Sequence, residues 1–534
     1  MLFGTQGPQG PSDDAVELLM MLNDLFNRAL VHPDGRVLDQ YYHVLERMVP
    51  QQASVQALID KCKNITITMH QERKERLRPV MEKIPPEIFV AIFSFVCDDP
   101  LANIVCPEFP PSAIALSSVC KRWNDIVLST PSLWSSLSVN FRDWKSNWKQ
   151  LGRIVSLYLA RSKSAPLSLG LDVMSNDGYP PDDEEAEMCV AILGDIVRHS
   201  DRWQTVELEI SPDGLKHPVL QPFVGRLPIL RKLKLTGFED QDMIDYDPAF
   251  PVDTLFRDCP SLEHISINGP MVERRLALPW QQIRTLEVLD MYDLSTLKST
   301  LSKCPNVENL YLNEIEFFNE PEKELIELGP PMHRVKYLSI EYGNIFDVAS
   351  AFYYLHLPGL VSVRLSGYWD GRMYDLKDLY IESFLQRSSC SITSLWLRSV
   401  SISDQDMVSL FRMIPTLERL CVEEQHRGRE GLPKQRVITT LFWDSFSIAT
   451  SSSRILPRLK ELDLTFHGDE LDVDALRKAL MSRCNPELDA SGDPTCLGRV
   501  MLQIVGVGFS KRSDLADIER DVKLKRTMLS ITYL

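Results

Sequence analysis

No stretch of the 534 residues reaches the roughly 18–20 consecutive apolar positions that a membrane-spanning helix needs. The longest apolar block, 88–97, is interrupted by Ser94. The N-terminal residues MLFGTQGPQGPSDD lack the basic start, apolar core and cleavage pattern of a signal peptide. Positive charge is also in short supply. The formal net charge is −16, and a phosphate-binding surface needs concentrated Lys and Arg, so neither nucleic acid nor membrane is an expected partner. The eleven cysteines include no C-x-x-C pair, which argues against zinc and disulfide frameworks and for a reducing compartment, cytoplasmic or nuclear. Catalytic patterns are missing as well: no H-E-x-x-H, no Walker loop, no G-x-S-x-G elbow and no kinase signature. The ten histidines are dispersed without metal-ligand spacing. GVGFSK from Gly506 lacks the spacing of a phosphate cradle, and DDEEAE from Asp182 reads as a solvated loop or helix start. The expectation is a non-enzymatic protein without cofactor or metal.

What is present is ordinary for a soluble globular chain, 44% hydrophobic and 25% charged, and long enough for several domains. Residues 1–13 are rich in Gly, Pro and Gln and are expected to be disordered. Over 14–83 helical spacing recurs, in Leu18, Leu22, Leu25, Phe26 and Leu30, and again in Val55, Leu58, Ile59, Cys62 and Ile65 after the cap residue Ser54.

The segment 84–135 carries the most information. IPPEIFVAIFSFV starts at Ile84, with Pro85 and Pro86 at the first turn of a helix and Glu87 at its positive end. Ile88, Phe89, Val90, Ile92, Phe93, Phe95 and Val96 leave almost no polar side, which predicts a helix covered all round. After an insertion at 98–113 with four prolines comes ALSSVCKRWNDIVLSTPSLW. There Ala115, Leu116, Val119, Trp123, Ile126 and Val127 predict one apolar helix face, stopped by Pro131 and followed by Leu133 and Trp134. Fifty-odd residues of this kind bury too little to stand alone, so the surplus apolar surface docks either on the rest of the chain or on a partner. The order I-P-P-E-I-x-x-x-I-F, a gap, L-x-x-V-C-K-R-W-x-x-I and a downstream L-W resembles the F-box. That resemblance implies binding to a Skp-type adaptor of a cullin–RING ubiquitin ligase. It implies contacts from Ile84, Pro85, Ile88, Ile92, Phe93, Val119, Cys120 and Trp123. Ile84 replaces the family's usual Leu, and the insertion is longer than the common linker.

From 136 to 510 a phrase L-x-x-L-x-L recurs. It reads LPILRKLKL from Leu227, CPSLEHISI from Cys259, CPNVENLYL from Cys304, LPGLVSVRL from Leu357, IPTLERLCV from Ile414 and LPRLKELDL from Leu456. With looser copies, the first anchors are Trp203, Leu230, Leu262, Ile283, Val307, Val335, Leu360, Ile392, Leu417 and Leu459. The last two anchors of each copy lie two residues apart and so share one face of a short strand. Units this small bury their apolar face only by stacking. The region resembles leucine-rich repeats, although the Asn or Cys of that family is replaced after the strand by Phe238, Pro270, Ile315, Gly343 and His467. The expected fold class is therefore α/β: N-terminal and F-box helices, then an irregular leucine-rich-repeat-like solenoid, then a C-terminal segment at 511–534. LARSKSAPLSLGLDV from Leu159 is most similar to F-box proteins of mushroom-forming fungi. In such a solenoid the strand positions alternating with the anchors face the partner, here Tyr311, Tyr337, Arg364, Trp396 and Arg398, residue types that dominate binding energy. Two readings stay open: a ligase adaptor with an unknown protein substrate, or a repeat scaffold whose F-box-like hairpin packs internally. Exposure of Ile88, Ile92 and Val119 discriminates between them.

Overall fold

A turn followed by two same-side apolar anchors is a recipe for a short strand, and the computed structural model of the chain places a strand at every such phrase. It describes residues 83–533 apart from 98–103, 108, 145–146, 174–182, 211–213, 238–253, 269–275, 291–293, 316–328, 344, 369–371, 426–433, 448–454, 485–496 and 525–526. The expected disordered start and the N-terminal helices up to 82 lie outside the described residues. The chain divides into two compact units, 1–91 and 92–534. The described part of the first is the approach to, and first half of, helix α1 (Pro86–Cys97).

The second unit is built on one open sheet of fifteen parallel strands that follow one another in chain order. They are β1 (Ile104–Val105), β2 (Ser136–Asn140), β3 (Leu167–Asp172), β4 (Trp203–Glu209), β5 (Lys232–Thr236), β6 (His264–Asn268), β7 (Thr285–Leu289) and β8 (Asn309–Ile315). The series continues with β9 (Tyr337–Tyr342), β10 (Ser362–Ser366), β11 (Ser394–Arg398), β12 (Arg419–Glu423), β13 (Glu461–His467), β14 (Arg499–Val505) and β15 (Met528–Tyr533). Helices α2 (Ser112–Ser117) and α3 (Lys121–Ser129) precede β2. Most crossovers carry a helix: α4 (Trp148–Arg161), α5 (Asp183–Val197), α6 (Leu294–Lys303), α7 (Ile345–Tyr354), α8 (Ile381–Ser388), α9 (Asp404–Met413), α10 (Thr440–Phe446), α11 (Val473–Cys484) and α12 (Phe509–Leu524). Short 3-10 turns replace them between β4 and β5 and between β6 and β7, so the repeats are uneven.

All ten first anchors are buried. From Leu230 onward each strand begins two residues after its anchor, and the pairing of β4 with β5 begins two residues after Trp203. The expected boundary at 510 falls inside the sheet, because α12 and β15 extend it. β14 and β15 carry none of the quoted phrases, and their anchors had no repeat to align with.

Two hydrogen-bond systems hold the rows in register. The carbonyl just before one strand accepts both amides at the start of the next. Arg231 O takes Glu263 N and His264 N at 3.0 Å each, Lys336 O takes Val361 N and Ser362 N at 2.9 Å each, and Lys460 O takes Gly498 N at 2.8 Å and Arg499 N at 3.1 Å. Short polar side chains in the turns add a second link back to the preceding repeat: Ser261 Oγ to Pro228 O at 2.8 Å, Asn306 Nδ2 to Gln281 O at 2.6 Å and Thr416 Oγ1 to Ile392 O at 2.7 Å. The polar ladder missing after the strands is thus partly supplied before them.

The ends of the crossover helices are closed by arginines. Helix C-termini leave carbonyls without partners and carry partial negative charge, which a buried guanidinium satisfies on both counts. Arg202 donates to Leu159 O in the last turn of α4 and to Lys163 O and Ala165 O just beyond it. Arg387 of α8 donates to Phe352 O, Tyr353 O and Leu355 O at the end of α7, at 2.7, 3.1 and 2.7 Å. Arg483 of α11 donates to Phe446 O at 2.9 Å, Leu456 O at 2.8 Å and Ile455 O, and lies 4.3 Å from the Phe446 ring. An acid does the converse at the end of β12. Buried Glu424 accepts Val437 N and Ile438 N on Oε1 at 2.7 and 2.8 Å, and His467 N on Oε2 at 2.9 Å.

Removing the Arg483 guanidinium deletes three buried hydrogen bonds to carbonyls, so Arg483→Met is expected to lower unfolding free energy by about 3 kcal/mol in urea titrations. Burial, against the pull of the three amides, pushes the Glu424 carboxyl up to about 7. The folded state then holds a proton that an unfolded carboxyl, near 4.3, releases, so this contribution to stability is lost as pH rises through about 7. Urea titrations at several pH values between 5 and 7.5 should show that decline in the parent chain and a flatter profile in Glu424→Gln.

Candidate docking helix and open sheet face

Helix α1 buries one stripe only. Phe89, Phe93 and Cys97, four residues apart, are 3%, 1% and 1% exposed, whereas Ile88 and Ile92 are 51% and 52% exposed and Phe95 86%. The expectation of a helix covered all round is therefore corrected: its apolar residues outnumber what the stripe can bury, and a face is left in solvent. Of the sequence-derived contacts, Pro85, Ile88, Ile92, Val119 and Cys120 are exposed and Ile84 and Trp123 half-buried. Phe93 is different. Its ring packs 4.7 Å from that of Trp123, so it supports the helix pair from inside rather than meeting a partner.

The single helix expected over 115–127 is two, α2 and α3, with Val119 and Cys120 displayed at the break. Adjacent serines account for it. Ser117 Oγ bonds to Ile114 O at 2.8 Å and Ser118 Oγ to Ala115 O at 2.7 Å, competing for carbonyls that would continue the helix. Asn124 Nδ2 then closes α2 through Ser117 O at 3.0 Å.

The insertion at 98–113 is partly described, and what is described is anchored. Ile104 and Val105 form β1, in register with Ser138 and Val139 of β2, and Trp144 Nε1 donates to Val105 O at 3.0 Å. α3 is fastened to the sheet by equally specific contacts. Trp134 Nε1 donates to Val127 O at 2.9 Å, the Trp134 ring meets Tyr158 edge-on at 5.1 Å, and the Arg161 guanidinium lies 4.4 Å from the indole.

On the sheet, the five sequence-derived substrate candidates fall on four consecutive strands, β8 to β11. Register puts Glu287, Tyr311, Ser339, Arg364, Trp396, Cys421 and Asp463 in one row across β7 to β13. Tyr337 belongs to the row before and Arg398 to the row after. Their strand neighbours Leu310, Leu312, Leu338, Ile340, Val363, Leu365, Leu395 and Leu397 are buried, so alternation turns the row to the other, open face. The Tyr311 and Tyr337 rings lie 5.2 Å apart, and the Arg364 guanidinium stacks 3.1 Å from the Trp396 ring centre. Arg398 pairs with Glu423 at 3.5 Å. Sequence reasoning missed Asp463 and Cys421 in this row. Burial pushes the Cys421 thiol up to about 12, which leaves it inert at neutral pH. Among the described residues no cluster of His, Cys, Asp or Glu could hold a metal ion, and no helix is long and apolar enough to cross a membrane.

The chain thus combines a long parallel sheet with a helical segment that leaves apolar residues in solvent. An F-box-like family model matches residues 81–140, from the approach to α1 through the end of β2, so this part of the chain is an F-box-like domain. No curated protein matches the chain.

The different burial of neighbours on α1 is directly testable. Phe93→Ala should cost about 3–4 kcal/mol in denaturant unfolding, whereas Ile92→Glu should stay within about 0.5 kcal/mol of the parent.

Proposed function

We propose that the chain is a non-enzymatic substrate-recognition adaptor of a cullin–RING ubiquitin ligase, acting in the cytoplasm or nucleus. The F-box-like domain docks a Skp-type adaptor through Ile84, Pro85, Ile88, Ile92, Val119 and Cys120. Strands β2 to β15 act as an irregular leucine-rich-repeat-like solenoid whose open face holds a protein target between β8 and β11. F-box domains in general bind Skp-type adaptors, which supports the first half at a coarse level.

The observation that carries the reading is the exposure of Ile88, Ile92 and Val119, at 51%, 52% and 58%. Large apolar side chains in solvent on a domain of this kind are the mark of a protein contact. The scaffold alternative, with the hairpin packed internally, requires those residues to be covered within the chain. Target recognition by the sheet face rests on Tyr311, Tyr337, Arg364 and Trp396, large side chains already held against one another, so little freedom is lost on binding.

Co-purification of the full chain with a Skp-type adaptor is the test. A stable complex is expected, and Ile84→Ala combined with Pro85→Ala should weaken it at least tenfold without altering the thermal midpoint. A folded chain that forms no complex would return the protein to the scaffold reading.

A further inference from the structure

Among the described residues, two arginines of the open face pair with carboxylates on the neighbouring strand, and a third near its centre does not. Arg398 is matched by Glu423 at 3.5 Å and Arg419 by Glu461 at 3.8 Å. Arg364 has no carboxylate within 4.0 Å among the described residues, and its guanidinium carbon lies over Trp396, 3.1 Å from the ring centre. A guanidinium held over an aromatic ring is already partly ordered, so part of the ordering cost of binding an acceptor is met in advance.

The surroundings narrow the acceptor. The nearest positions in register are serines: Ser339 on one side in the same row, and Ser362 and Ser366 two residues away on the same strand. These are small side chains, and the Tyr311 and Tyr337 pair stands beyond them on β8 and β9. Acids stand further out on the same face, Glu341 one strand away in the next row, Asp463 three strands away, and Glu287 beyond Tyr311. One cation with carboxylates around it suits a single negative charge and disfavours a doubly charged phosphate. A carboxylate also matches the two-pronged edge of a guanidinium.

Resting on the sheet-face reading above, we propose that the target is held as a segment bearing an aspartate or glutamate, whose carboxylate pairs with Arg364 while a neighbouring aromatic or large aliphatic residue packs on Tyr311 and Tyr337. The acidic residue is the anchor that selects the segment; the apolar contact adds affinity.

The full chain, immobilised, would be used to select from a displayed library of random dodecapeptides. Enrichment of Asp or Glu at a fixed distance from Phe, Tyr, Trp or Leu is expected. An enriched peptide should lose binding by roughly 10- to 100-fold when its acid becomes the amide, the range for a charge-assisted pair. The same amide change should have little effect against Arg364→Met. Arg364→Lys, which keeps the charge but not the planar edge, should fall between the two, and thermal midpoints of both variants control for folding. Selection of basic or phosphoserine-bearing peptides, or an acid preference that survives Arg364→Met, would overturn this inference. If Tyr311→Ala and Tyr337→Ala still abolished capture in that case, the sheet-face reading would stand. Peptides indifferent to all of Tyr311, Tyr337, Arg364 and Trp396 would overturn both.

Discussion

The carbonyl that precedes each strand from β5 to β13, shared between two amides of the next repeat, is the constraint on which the remainder depends. Arg231, Glu263, Arg284, Glu308, Lys336, Val361, Thr393, Glu418 and Lys460 all supply such an oxygen in turn. Because the link always falls at the same place relative to the strand, successive strands begin level. A one-residue slip would turn every apolar anchor outward, and this contact forbids it whatever the crossover does. That is why crossovers as different as α9 and the 3-10 turn Trp280–Gln282 coexist in one sheet. Rows of side chains on the open face, including the one containing Tyr311, Arg364 and Trp396, are a by-product of that levelling.

A parallel sheet still has to close the helices that run behind it, and the chain does so with charge. Arg387 and Arg483 each come from the helix one repeat along and finish the helix before, so adjacent repeats are joined at the back as well as along the strands. At those contacts the carbonyl dipoles of the helix ends meet the guanidinium charge. Glu424 performs the opposite task where the chain returns after β12, using a carboxylate to collect amides.

Legibility in the sequence followed periodicity. Strands with two anchors and a preceding turn, such as β5, β6 and β8, were readable because their apolar spacing repeats and nothing local competes with it. β1 was not, since two residues inside a proline-containing insertion have no period, and only pairing with β2 makes them a strand. The break between α2 and α3 was written in Ser117 and Ser118, but an apolar face that continues through Val119 masked it. On the candidate site, residue type and alternation sufficed to select Tyr311, Tyr337, Arg364, Trp396 and Arg398. They did not reveal that Arg364 lies on Trp396, which depends on the two strands being neighbours in register. Phe93 and Ile92 are adjacent and equally apolar; only the packing of Trp123 separates an interior residue from an exposed one.

The Trp134 contacts join α3 to α4 without a flexible tether, and β2 follows Trp134 with a single residue between them. A row of strands attached to a fixed end works as a ruler. Neighbouring strands are about 4.8 Å apart, so the path along the sheet from β2 to β8 is six spacings, on the order of 29 Å, and each added repeat lengthens it by one step. Reach is therefore a matter of how many repeats the chain contains, independent of which side chains they display. A gain or loss of one repeat between β3 and β7 would move β8 one such step from β2 and leave the side chains on either strand unchanged.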